Sequence, residues 1–228
     1  MASESRGSTQ VLCCTVGGFC FGALVAGLNA VSAAHPALVV LSQVLGVGWS
    51  WAGLGILVGA LARRRPAVAA VGTLLPAVVG YYLVDLRNGV YTHHDRDHPV
   101  YDIDPTQAPV VTSWDGLIGD TTFWGAAALL LGLVLGPVGA WTTRSGRSGL
   151  LCRLVVPVGA AVEIFVLRLP FELQLQPRPV VVATMAAVGS IGLVVAAVLC
   201  LHHARLEPGC RRSPPSTRQD GSPVVPLH

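Results

Sequence analysis

The sequence predicts an all-α fold: an integral membrane bundle of about six transmembrane helices, with the N and C termini cytoplasmic. Three observations predict it. Six continuous apolar runs, 11–31, 38–62, 66–83, 121–141, 150–169 and 179–201, are each near the ~20 residues a helix needs to cross a ~30 Å hydrocarbon core. Only 12% of the residues are charged and mean hydropathy is +0.61, whereas a soluble domain carries roughly 25% charged residues. All fifteen basic residues are arginine, and they sort with alternate gaps between the runs.

Arg6 precedes the first run, Arg63, Arg64 and Arg65 follow the second, Arg144 and Arg147 follow the fourth, and Arg205, Arg211, Arg212 and Arg218 follow the sixth. Arg153 lies just inside the fifth run, and Arg87, Arg96, Arg168 and Arg178 fall on the opposite side. This is the positive-inside pattern, and it puts residues 1–10 and 207–228 in the cytoplasm.

Each element follows in order. In the first run Gly18, Gly22, Ala26 and Ala30 recur at every fourth position, a packing face for other helices. Arg6, an apolar run and Ser32-Ala33-Ala34 have the outline of a signal peptide. The run exceeds the ~7–15 residues of such a segment, so the first span is expected to be retained. Gly55/Gly59 in the second run and Gly132/Gly136 in the fourth are further small-residue pairs. Pro76, Pro137 and Pro157 inside runs imply local kinks. The gap 84–120 is the one sizeable exterior segment, and 207–228, rich in Pro, Ser and Arg, is expected to be a disordered tail. Strand crossings are excluded because the runs do not alternate.

Composition also excludes functions. The net charge of +3 is small and arises from the cytoplasmic segments, and no basic patch is interleaved with aromatics, so nucleic acid is not a partner. The six cysteines show no CxxC and no metal spacing. GxSxG, HExxH and P-loop motifs are absent, so no enzymatic activity and no cofactor are expected. The lipid bilayer is the expected partner, with a second copy of the chain or another membrane protein as further candidates.

Candidate functional residues emerge once each polar group is given a depth. Glu163 lies about thirteen residues into the fifth run, roughly 20 Å from its inner end at ~1.5 Å per residue, in the outer third of the membrane. An ionisable group there costs ~2.5–3.5 kcal/mol and is expected to face the bundle interior. Arg168, five residues on, falls about 140° round an α-helix and is not expected to pair with it. Asn29, Gln43, Tyr81, Tyr82 and Asp85 fall at a similar level on other spans, alongside Ser42 and Asp120. If these faces converge, they form a small polar vestibule that binds a ligand. A second constellation, His93, His94, Asp95, Asp97 and His98, offers imidazole and carboxylate groups suited to a divalent metal, although its spacing matches no motif and a solvated acidic loop is the default.

Short apolar motifs add a resemblance. Asn29 ends the first span, Trp49-Ser50-Trp51-Ala52 leads to Gly59-Ala60-Leu61-Ala62 in the second, and Val79-Gly80-Tyr81-Tyr82 marks the third. Gly132 to Gly139 followed by Arg144, and Ala161-Val162-Glu163, continue the series. Across roughly residues 16 to 200 the chain resembles an uncharacterised family of small polytopic actinobacterial membrane proteins. The resemblance implies a multi-pass protein of the cytoplasmic membrane of a GC-rich bacterium, and it implies no activity.

The expected function is thus that of a non-enzymatic multi-pass membrane protein, a small-solute or ion-coupled carrier using Glu163. The alternative is a structural or regulatory membrane subunit whose Arg-rich tail meets a cytoplasmic partner.

Overall fold

The computed structural model describes residues 2–32, 35–62, 64–175 and 177–206. The tail 207–228 and Arg63 lie outside the described residues. Five helical segments are long and apolar enough to cross a membrane, and a sharply bent pair makes a sixth. They are α1 (Ala2–Val31), the pair α2 (Pro36–Leu45) and α3 (Gly48–Leu61), α4 (Pro66–Arg87), α5 (Trp114–Trp141), a composite fifth span and α8 (Pro179–Leu206). The fifth span runs through α6 (Arg147–Val162), a π-helical turn (Glu163–Arg168) and α7 (Leu169–Gln174). The chain is therefore an all-α, multi-pass membrane bundle.

Local chemistry explains the helix starts. Pro36 and Pro66 sit in the first turn of α2 and α4, where the missing N–H costs nothing. His35 Nδ1 accepts from the Ala37 N–H at 3.2 Å and caps α2. Ser113 Oγ accepts from the Gly116 N–H at 3.3 Å, and Asp115 lies in the first turn of α5 beside its positive dipole end. That capping begins α5 at Trp114 rather than near residue 121, and α4 continues to Arg87, so the gap between these two helices is 88–113.

Small residues set the packing. Gly18 and Gly22 of α1 rest on the backbone of α4, where an added Cβ would overlap the carbonyls of Thr73 and Ala77. Ala26 is fully buried on the same face, but Ala30 is exposed. A spacing of four residues advances about 400° round an α-helix, so the stripe drifts ~40° per step and has left the interface by its fourth member. Gly59 of α3 meets the backbone of Gly136 of α5 in the same way. Lipid-embedded helices gain from such close approach because lipid supplies no hydrophobic drive between them. Leu130, Leu133 and Val134 accordingly stay at least half exposed on the outer face.

Two buried clusters lie on either side of the bent span. Leu74, Val78 and Ala128 pack with Trp51, Leu54 and Tyr82 between α3, α4 and α5. Ile164, Val181 and Met185 pack with Val39 and Phe165 between α2, the π-turn and α8. The bend thus sends α2 toward α1 and α8, and α3 toward α4, α5 and α6. Inside the gap between α4 and α5, Thr92–His94 pairs antiparallel with Val110–Thr112, and Pro105–Gln107 forms one 3-10 turn.

Candidate functional site

The site is built on the interruption in the second span. α2 and α3 meet at an angle of 56°. The interruption falls after the ten residues of α2, ~15 Å from the start of that helix at ~1.5 Å per residue, near the middle of the span. Breaking a helix there orphans backbone groups in a medium without water, and each must find a partner. On the carbonyl side, Ser50 Oγ donates to the Leu45 carbonyl and lies 2.7 Å from that of Val47. The Gly46 N–H still reaches the Ser42 carbonyl at 2.8 Å.

On the N–H side the partner comes from another helix. Glu163 Oε1 accepts from the Gly48 N–H at 3.0 Å, and Oε2 accepts from the Trp49 N–H at 2.9 Å. The carboxylate therefore caps α3 at its positive dipole end. Gly48 permits this approach, since a Cβ there would lie 3.0 Å from Oε2. Glu163 stands 16 residues after Arg147 and 11 before Gln174 along the composite span.

Arg168 completes the arrangement, against the expectation from α-helical geometry. Its Nε donates to Glu163 Oε1 at 2.8 Å. The intervening turn is π-helical, and the Leu169 N–H bonds the Ile164 carbonyl five residues back. Pro170 follows without an N–H and disfavours the α-helical ladder, which promotes the wider turn. Five residues then make little more than one turn, and Arg168 returns to the Glu163 side. Glu163 and Arg168 expose only 20% and 36% of their side chains. A close opposite charge and three donors offset the penalty of holding a carboxylate in lipid.

A second polar group borders the same interruption. Asn29 Nδ2 donates to the Tyr81 hydroxyl at 3.1 Å, and Ser42 Oγ donates to Asn29 Oδ1 at 2.6 Å. Asn29 Oδ1 would also lie 3.4 Å from a Cβ on Gly46, so three helices meet where the chain bends. An aromatic series leads outward, from Phe21 to Trp51 to Tyr81 to Tyr82 to Tyr91, with ring centroids 5.4, 6.1, 5.4 and 6.2 Å apart. The Tyr91 hydroxyl closes it by donating to Asp120 Oδ2 at 2.8 Å. Partial burial and that hydrogen bond push the Tyr91 phenol above its ordinary range.

Between these groups lies a cleft of about 380 Å³, walled by α3, α4, α5 and the π-turn. Trp51, Tyr81, Tyr82 and Trp124 supply aromatic faces, Leu74 and Leu131 an apolar floor, and Glu163 and Arg168 the charged end. Of the residues expected to form the vestibule, Tyr81, Tyr82 and Glu163 line the cleft, and Asn29 joins it only through its hydrogen bond to the Tyr81 hydroxyl. Gln43 and Asp85 do not line it and make no side-chain hydrogen bond among the described residues. Sequence reasoning missed Gly46, Gly48, Ser50, Trp51, Trp124 and the partnership of Arg168. The available signal was Gly46-Val47-Gly48 in mid-span with a serine on either side.

The exterior histidines do not converge. His93 and His94 are neighbours on a strand and point to opposite faces. His94 Nδ1 donates to the Ala108 carbonyl at 2.8 Å, His98 Nδ1 accepts from the Val100 N–H at 3.3 Å, and Asp95 Oδ1 accepts from the Asp97 N–H at 3.0 Å. Among the described residues no three His, Cys, Asp or Glu side chains are grouped to hold a metal ion. Local hydrogen bonds engage one side-chain atom each of His94, Asp95 and His98. Nearby, the Thr106 hydroxyl and N–H hold the Asp104 carboxyl below its usual range.

Comparison of the chain with protein-family models, with curated proteins and with solved structures finds no match in any of the three.

Proposed function

We propose that this chain is a carrier of small solutes in the cytoplasmic membrane, with both termini inside, and that the cleft beside the interrupted second span is its solute site. Glu163 is the coupling group. The observation that carries this reading is the carboxylate itself, fixed at mid-membrane on the N-terminus of a half-helix and bordering a cleft of ligand size. Capping α3 accounts for the carboxylate but not for the aromatic cavity of ligand size that its ion pair borders. Interrupted helices that meet solute near the midplane are the usual construction of secondary transporters, and that likeness is an analogy of architecture. Membership of the actinobacterial family is part of the same proposal and rests on the short motifs quoted above.

The test is uptake by proteoliposomes across a panel of small metabolites, with and without a pH gradient. The wild-type protein is expected to accelerate at least one solute when a gradient is imposed. Folded Glu163→Gln is expected to lose that dependence. Uptake equal to that of protein-free vesicles for every solute, or an unchanged response in Glu163→Gln, overturns the proposal.

A further inference from the structure

We infer that the cleft takes a small organic anion with an aromatic-sized apolar body, and that each anion enters with one proton carried on Glu163. The inference rests on the carrier reading and names its substrate class. Its first support is the unused edge of Arg168. A guanidinium has five N–H donors. Arg168 lines the cleft, its Nε is bound to Glu163, and both terminal nitrogens lack a hydrogen-bond partner among the described residues. That free fork matches the paired oxygens of a carboxylate or sulfonate. Three of the roughly four lone-pair positions of Glu163 already receive Gly48, Trp49 and Arg168, which leaves room for a proton but not for the several ligands of a metal cation.

Size and walls define the rest of the ligand. About 380 Å³ lies at the small end of ligand pockets, which run ~300–1,000 Å³. It accommodates one ring bearing one acid group. Trp51, Tyr81, Tyr82 and Trp124 surround that space with ring faces and edges, which favour a flat apolar body over a sugar or a polyol.

Charge balance supplies the proton. Glu163 and Arg168 together are neutral. A monoanion added to them leaves one uncompensated negative charge in a low-dielectric site, an arrangement membranes strongly disfavour. The groups that could offset it are few. Tyr81 and Tyr82 of α4 face the cleft, and α3 presents only backbone N–H groups. Asp115 and Asp120 of α5 do not line it, Arg147 and Arg153 lie at the start of α6, and α2 has no ionisable residue. His202, His203 and Arg205 lie at the far end of α8. A proton taken from external water by the Glu163 carboxylate restores neutrality and frees Arg168 for the incoming anion. Release inside returns both anion and proton to water.

The experiment uses the full chain in vesicles containing a pH-sensitive dye. The probe is benzenesulfonate, which stays ionised and cannot cross lipid as a neutral acid. Uptake is expected when the outside is acidified, with one proton entering per anion and no response to a clamped membrane potential. Arg168→Gln is expected to lower uptake and calorimetric binding by at least about tenfold. Arg168→Lys keeps the charge but not the fork and is expected to fall between. Glu163→Gln is expected to bind benzenesulfonate while losing the response to pH. If either variant fails to fold, the proton-to-anion ratio of the wild type decides.

Potential-driven uptake without protons overturns the coupling. Preferential, Glu163-dependent uptake of benzyl alcohol or benzylammonium overturns the anion class and leaves the carrier reading intact. Arg168-dependent binding of benzenesulfonate with no transport of any solute keeps the anion class and overturns the carrier reading. Absence of both binding and uptake of benzenesulfonate overturns the inference outright.

Discussion

Replacing Glu163 by Ala removes one carboxylate and strands three donors at once. The N–H groups of Gly48 and Trp49, held at 3.0 and 2.9 Å, lose their acceptor, and Arg168 loses its partner at 2.8 Å. Loss of a helix cap costs ~0.5–2 kcal/mol, and a buried donor left unsatisfied costs ~1–3 kcal/mol. With 36% of its side chain exposed, Arg168 can turn toward water, so the ion pair itself is given only the ~0–1 kcal/mol of a screened pair. The total is about 1.5–6 kcal/mol. At ~2–4 °C per kcal/mol for a chain of this size, thermal unfolding in detergent is expected to fall by roughly 3–24 °C. Glu163→Gln keeps an acceptor for one N–H and is expected to lose about half as much. Adding Arg168→Ala to the Ala variant is expected to cost less than in the wild type, because the two share one contact. An Ala variant melting within about 1 °C of wild type refutes the cap.

Three further outcomes follow from the packing and the exterior loop. Gly18→Leu is expected to abolish the close contact of α1 with α4 and to lower thermal stability sharply, whereas Gly17→Leu, which faces open space, is expected to be nearly neutral in the same melt. The neutral Tyr91 phenol is favoured in the fold, so its contribution is present below the ordinary value of 10.0 and is lost as pH rises through its raised folded value. Absorbance titration is expected to show one fewer late-ionising tyrosine in Tyr91→Phe than in the wild type. Asp104 has a lowered carboxyl, so the turn at Pro105–Gln107 keeps its support above 3.8 and loses it as pH falls through the folded value. Amide exchange at Thr106 should quicken only under those acid conditions, and an acid-insensitive rate would contradict the hydrogen bonds drawn to Asp104.

Much of the architecture was legible because lipid imposes length and apolarity on every crossing. The runs marked the spans, and assigning depth from the arginines drew attention to Asn29, Tyr81 and Glu163 before any coordinates. The interruption of the second span was not visible, because Gly46, Val47 and Gly48 are themselves apolar and leave the hydropathy profile unbroken. The Glu163–Arg168 pair was misjudged for a related reason. A pairing rule drawn from the regular α-helix fails at a π-turn, and the cue to that turn was Pro170, two residues beyond Arg168. Gln43 and Asp85 share the level of the cleft but not its direction, since depth fixes height in the membrane and says nothing of azimuth. The hairpin escaped notice because two three-residue strands carry too little alternation to read.

Thiol accessibility tests most directly whether the cleft is a water-reached binding site rather than a seam filled by lipid. In a cysteine-free background, Ala127→Cys places a thiol on the cleft wall of α5, and Leu130→Cys places one on the outer, lipid-facing surface of the same helix. Thiol reagents attack the thiolate, which forms in water and not in lipid. A membrane-impermeant reagent applied from outside is expected to label Ala127→Cys at least about tenfold faster than Leu130→Cys, with Arg168-dependent protection by benzenesulfonate. Equal, negligible labelling at both positions would contradict the site.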